Sequence, residues 1–107
     1  MMESVKKLFT TREEKLKACA AKIIKKEAFA PGDLVIWKDG MKNRRFPAYG
    51  EAVVVTQVLD EPVFDSTDRS AGTPAFREPL DVVIGWLDSD GDFVEFHLDG
   101  RRLTKAE

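Results

Sequence analysis

The densest run of potential ligand oxygens in the chain is Asp88-Ser-Asp90-Gly-Asp92. Carboxylates at alternate positions can serve a divalent cation from loop positions one, three and five, and Asp99 falls at position twelve. The match stops there. A calcium loop of that type needs Gly at position six, where this chain has Phe93, a bidentate Glu at twelve, and a helix on each side. The flanks here alternate like strands, so the segment is expected to be a hairpin turn, and no metal site is assigned.

Other chemistry is limited by what the chain contains. His97 is the only histidine and Cys19 the only cysteine. Neither a zinc site with mixed nitrogen and sulfur ligands nor a Cys-His nucleophile pair follows from one of each. Seven carboxylates lie between Glu78 and Asp99 with no Lys or Arg among them. Catalytic carboxylate pairs need burial beside one another to drive their pKa values apart. These sit at turns or alternate outward, and the expectation is a solvated acidic face. The glycines are isolated, so no phosphate-cradling loop is present. No catalytic residue and no cofactor are therefore expected.

Recognition chemistry is better represented. Residues 38–50 carry Lys42, Arg44 and Arg45 beside Trp37, Phe46 and Tyr49. Cations interleaved with aromatics grip phosphates and stack bases, or anchor a protein interface. Trp37, Lys42, Arg44, Arg45, Phe46 and Tyr49 are the expected partner-binding set. Asp88, Asp90, Asp92 and Glu95 are expected to form a second, acidic surface. A further long segment, residues 60–80, is expected to be pinned at its ends by Val63, Phe64 and Phe76, with a mobile tip at 65–74.

The elements that must position these groups are legible in the periodicity. Thr11-Arg-Glu-Glu14 matches a capping box, in which the Thr hydroxyl and the Glu carboxylate satisfy each other's backbone N–H groups. Leu16, Cys19 or Ala20, Ile23 and Ile24 follow at helical spacing, which predicts an amphipathic helix over 11–28. Before it, Val5, Leu8 and Phe9 suggest a short helical turn. Pro31 lacks an N–H and disfavours helical backbone at Ala30, so the helix must have ended by then. Past that point the period becomes strand-like, with strands expected at 34–37, 51–59, 81–88, 92–98 and 101–104. Ser89-Asp90-Gly91 makes a hairpin turn and Asp99-Gly100 a tight one.

A length of 107 residues with 43% hydrophobic and 34% charged residues fits one domain with one core. The lone Cys19 excludes an internal disulfide and suits a reducing compartment, and no secretory signal or membrane span is visible, so a cytoplasmic location is expected. The formal charge of −2 is a cancellation: residues 1–30 carry +4 and residues 31–107 carry −6. A bipolar chain argues against coating nucleic acid, which needs a dominant positive field, and favours a partner with a complementary patch.

Loop lengths suggest how the strands assemble. The connections run long, long, short and very short, the order found in an SH3-like barrel. Pro31-Gly-Asp-Leu-Val resembles the opening strand of such barrels, including Tudor-like and KOW-like domains. The string from Pro31 through Trp37 and Gly40 to Arg45, with Tyr49-Gly50, resembles small accessory proteins of phages and integrated mobile elements, some of which inhibit host defence systems. The expected fold is α+β and mainly β: an N-terminal helical segment (1–30) packed on a five-stranded antiparallel SH3-like barrel (31–107). The expected function is a non-catalytic module recognising a protein partner through the basic and aromatic loop, as a mobile-element inhibitor or adaptor acting on a host complex. The alternative is a nucleic-acid-binding module using the same loop with Lys22, Lys25 and Lys26. The chain is expected to be a monomer or a homodimer built on its helix.

Overall fold

The structure is a computed structural model that describes residues 11–64 and 78–106. The expected turn at 5–9 and the expected mobile tip at 65–74 lie outside the described residues.

Helix α1 spans Arg12–Ile24 and begins as its capping box requires. The Thr11 hydroxyl accepts from the Glu14 N–H at 3.1 Å, and the Glu14 carboxylate accepts from the Thr11 N–H at 2.9 Å. The helix ends four residues earlier than the periodicity predicts. Beyond Ile24, side chains turn toward the sheet: Lys26 pairs with Asp81, and Glu27 accepts from the Thr104 hydroxyl and the Lys105 N–H. Tertiary pairing overrides helix propensity there. The docking chemistry also differs from expectation. No residue of α1 is buried, and Leu16 and Ile24 are 51% and 80% exposed. Polar contacts hold the helix, chiefly the Lys38 ammonium donating to the carbonyls of Lys22 and Lys25. These carbonyls lie at the helix C-terminus, where backbone acceptors lack internal partners and favour a cation.

Among the described residues five strands follow: β1 Leu34–Trp37, β2 Val53–Val63, β3 Leu80–Leu87, β4 Phe93–Leu98 and β5 Leu103–Lys105. They form one antiparallel sheet in the order β4-β3-β2-β1-β5. β2 is central, and the first six residues of its neighbour β3 are buried. The core gathers Val35, Trp37, Val53, Val55, Val82, Ile84, Leu98 and Leu103. β2 runs four residues past its expected end, with register shifts between Val55 and Gln57 and between Val58 and Val63. Such irregularities bend a strand and admit Pro62, which has no N–H for a regular ladder.

The sheet does not close into the expected barrel, because β4 and β5 stand at opposite edges. β5 pairs with β1 on one side, and its Thr104 hydroxyl and Lys105 N–H donate to Glu27. The expected Asp99-Gly100 turn is a 3₁₀ turn, Gly100–Arg102, capped by the Asp99 carboxylate on the Arg101 N–H. That consumes two residues of the expected last strand.

The β3–β4 hairpin matches its sequence signature. Gly91 takes φ +84°, and the Gly91 N–H donates to Asp88 O at 2.9 Å. Gly85 has a different reason to be Gly. A Cβ there would lie 2.1 Å from the Phe93 ring, which lies across the bare backbone. Gly85→Ala must displace that ring, and the expected cost is about 1 kcal/mol. In a double-mutant cycle read by chemical denaturation, Gly85→Ala and Phe93→Ala should be non-additive, since each alone abolishes the contact. Additive costs would show that the ring does not depend on Gly85.

Candidate functional site

The β1–β2 connection, residues 38–52, is folded back on the sheet by a series of specific bonds. Trp37 is 3% exposed, and its indole N–H donates to Pro47 O at 2.7 Å. Lys38 N–H donates to Arg102 O, and the Lys42 N–H donates to the Tyr49 hydroxyl at 3.0 Å. Ala48 N–H donates to the Glu51 carboxylate. The other Glu51 oxygen accepts from the Trp86 indole at 3.1 Å.

Glu78 is the strongest clamp. Its side chain is 5% exposed and accepts from Asn43 Nδ2, Arg44 Nη2 and Arg102 Nε, each at 2.7 Å. Arg102 also donates to Met41 O at 3.1 Å, which ties the loop to the 3₁₀ turn. A buried carboxylate is tolerated only when its lone pairs are matched, as they are here. Among the described residues every buried side-chain nitrogen or oxygen has a hydrogen-bond partner.

Two further buried acids repeat the pattern. Asp81 accepts from the Gly100 N–H and pairs with Lys26. Asp99 takes the Arg101 guanidinium through both of its oxygens, Oδ1 from Nε and Oδ2 from Nη2. The expected solvated acidic face is therefore corrected in part: Glu78, Asp81 and Asp99 are buried and paired. Asp90, Asp92 and Glu95 are exposed and Asp88 is half-buried. The carboxylates of Asp88, Asp90 and Asp92 lie within 4.8 Å of one another. Asp88 Oδ1 accepts from the Asp90 and Asp92 N–H groups at 2.9 Å each, as expected of a turn.

Lys38, the cation that opens the β1–β2 connection, is 8% exposed. Burial pushes its ammonium below the usual lysine range, opposed by the charges of Glu27 and Asp99. A base with a lowered folded-state pKa binds fewer protons when folded than when unfolded. Stability should therefore rise as pH climbs toward the ordinary value of 10.5, and Lys38→Met should remove that part of the slope. Urea midpoints of both proteins across this alkaline range measure it; identical slopes would contradict the assignment.

The expected binding set divides clearly. Trp37 belongs to the core and Arg44 to the Glu78 clamp, so neither presents a free surface. Lys42 is half-buried, while Arg45, Phe46 and Tyr49 are exposed. Phe46 stacks on Trp86 at 4.7 Å between ring centroids, Trp86 meets Phe96 edge-on at 6.3 Å, and the Arg45 guanidinium lies 5.6 Å from the Phe46 centroid. Beside this stack is an open cleft of about 630 Å³, lined by Arg44, Arg45 and Phe46 together with Val63, Phe64, Leu80, Phe96 and His97.

Sequence reasoning placed the loop but missed the groups that hold it, namely Asn43, Glu78 and Arg102. One signal was available: Glu78-Pro-Leu-Asp81 opens directly onto the apolar run of β3, where a polar group is drawn into the core and must find partners. No protein-family model, curated protein or solved structure matches the chain. Among the described residues no helix is long and apolar enough to cross a membrane.

Proposed function

We propose that the chain is a non-catalytic interaction module that recognises a protein partner through the cleft beside the β1–β2 loop. The observation that carries this reading is exposed apolar surface joined to a cation on a loop that is held in place. Phe46 and Val63 are each 45% exposed at the cleft, Arg45 covers the Phe46 ring, and the Glu78 clamp fixes the neighbouring residues. Aromatic and Arg anchors on a preorganised surface are the residues that dominate protein interfaces.

The sheet is read as an SH3-like small barrel with unpaired edges. Supporting this are the strand order, the long first and second connections, the tight β3–β4 hairpin and the 3₁₀ turn before β5. With the resemblance of residues 31–50 to phage and mobile-element accessory proteins, the concrete version is a cytoplasmic inhibitor or adaptor acting on a host complex. Asp90, Asp92 and Glu95 form the second contact surface. The nucleic-acid alternative is weaker, because Lys38 and Arg44 are spent on internal contacts and leave the loop fewer free cations for phosphates.

The test is affinity capture from the source cells with the wild-type chain and with Arg45→Ala/Phe46→Ala. A partner held by the wild type should be lost from the double variant, and a single-stranded DNA titration should show no steep salt-dependent binding. Retention of every captured protein by the variant would refute the reading.

A further inference from the structure

We infer that the cleft takes an acidic peptide segment, in which an aliphatic or aromatic side chain is flanked by Asp or Glu. This rests on the proposed function and names the chemistry of the partner. The chain has 19 acidic and 17 basic residues, yet among the described residues no carboxylate lines the cleft. Its charged and titratable lining is Arg44, Arg45 and His97. Arg44 is neutralised by Glu78, which is itself saturated by three donors. Arg45 forms no ion pair among the described residues and lies above the Phe46 ring, where its guanidinium edge can still receive a carboxylate. The cleft is thus an electropositive spot on a chain of net negative charge, and its sign is opposite to that of the hairpin face.

The apolar lining then sets the form of the occupant. Phe46, Val63, Leu80 and Phe96 supply an apolar wall, and a volume of about 630 Å³ lies in the range that encloses a small ligand or a few side chains. A short extended segment fits that space, with one apolar side chain inside and carboxylates at the rim. A basic segment meets Arg45 with like charge and is disfavoured.

The experiment is selection from a random-peptide display library against the full chain, followed by fluorescence polarisation with labelled copies of the enriched peptides. The expected peptides pair Asp or Glu with a bulky apolar residue. Arg45→Glu should weaken their binding by about tenfold or more, Arg45→Lys should retain part of it, and Phe46→Ser should also weaken it, each measured well below the melting temperature of the variant. Enriched peptides without acidic bias that still depend on Arg45 and Phe46 would overturn the inference and leave the proposed function standing. Absence of any peptide that depends on these residues would overturn both. Displacement of bound peptide by an oligothymidylate in an Arg45-dependent manner would assign the cleft to nucleic acid and overturn the inference. Peptide binding seen only when residues 66–76 are replaced by a Gly-Ser linker would make that segment of the chain the occupant, and would likewise overturn it.

Discussion

Glu78→Ala is expected to destabilise the protein by about 3 kcal/mol, at the low end for a broken buried ion pair because Arg44 and Arg102 keep partial contact with water. The variant strands three donors at once: Asn43 Nδ2, the Arg44 guanidinium and Arg102 Nε all converge on this one carboxylate. For a domain of this size the loss corresponds to a fall in melting temperature of roughly 12 to 20 °C. The effect has a location as well as a size. Arg44 is next to Arg45 and Phe46, so releasing it loosens the wall of the cleft before the sheet melts. Hydrogen exchange should therefore accelerate in residues 41–47 well beyond its increase in β3. Glu78→Gln keeps the shape and one acceptor, and should cost less than Glu78→Ala. A cost below about 1 kcal/mol for Glu78→Ala would fall in the range of an exposed pair and show that the clamp is solvated.

Trp37→Ala is the second large effect, expected to cost about 3 to 5 kcal/mol as a truncation of a fully packed aromatic side chain. Trp37 closes the core between β1 and the returning loop, and its indole holds the carbonyl of Pro47, which is itself fully buried. Trp37→Phe separates the two contributions. It keeps most of the packing and leaves Pro47 O without its donor, at an expected cost of about 1 to 2 kcal/mol. Both variants should weaken partner binding in proportion to the loss of loop order, although Trp37 lies in the core. Equal costs for the two would assign the whole effect to the hydrogen bond and contradict the packing argument.

Much of this architecture was legible in the sequence because local signals agreed with the tertiary outcome. Thr11 and Glu14 cap the helix as their spacing requires, and Gly91 turns the hairpin between β3 and β4. The failures share one physical cause, which is that charge was read as solvation. Lys38, Arg44, Glu78, Asp81 and Asp99 are charged, yet they are engaged inside the fold, and only the pairing of distant residues reveals it. The helix shows the converse. Its apolar positions at Leu16 and Ile24 predicted a buried stripe, whereas the docking is carried by Lys38, Lys26 and Glu27. Sheet closure failed as an expectation because β4 and β5 stand at opposite edges, and which edges meet is a long-range pairing that local spacing does not encode. The candidate loop itself was legible from composition alone, since clustered Arg and aromatic residues in a long connection are visible without partners.

The central claim is that a clamped loop presents Arg45 and Phe46 beside a cleft that receives a partner. The most direct test is an NMR titration of the full ¹⁵N-labelled chain with the tightest acidic peptide recovered by selection. Saturable shifts at the amides of Arg45, Phe46, Phe96 and His97 and at the Trp86 indole N–H, with α1 and the 88–92 turn unchanged, are the predicted result. Shifts centred on α1 or on the acidic turn, with the cleft residues unmoved, would contradict it.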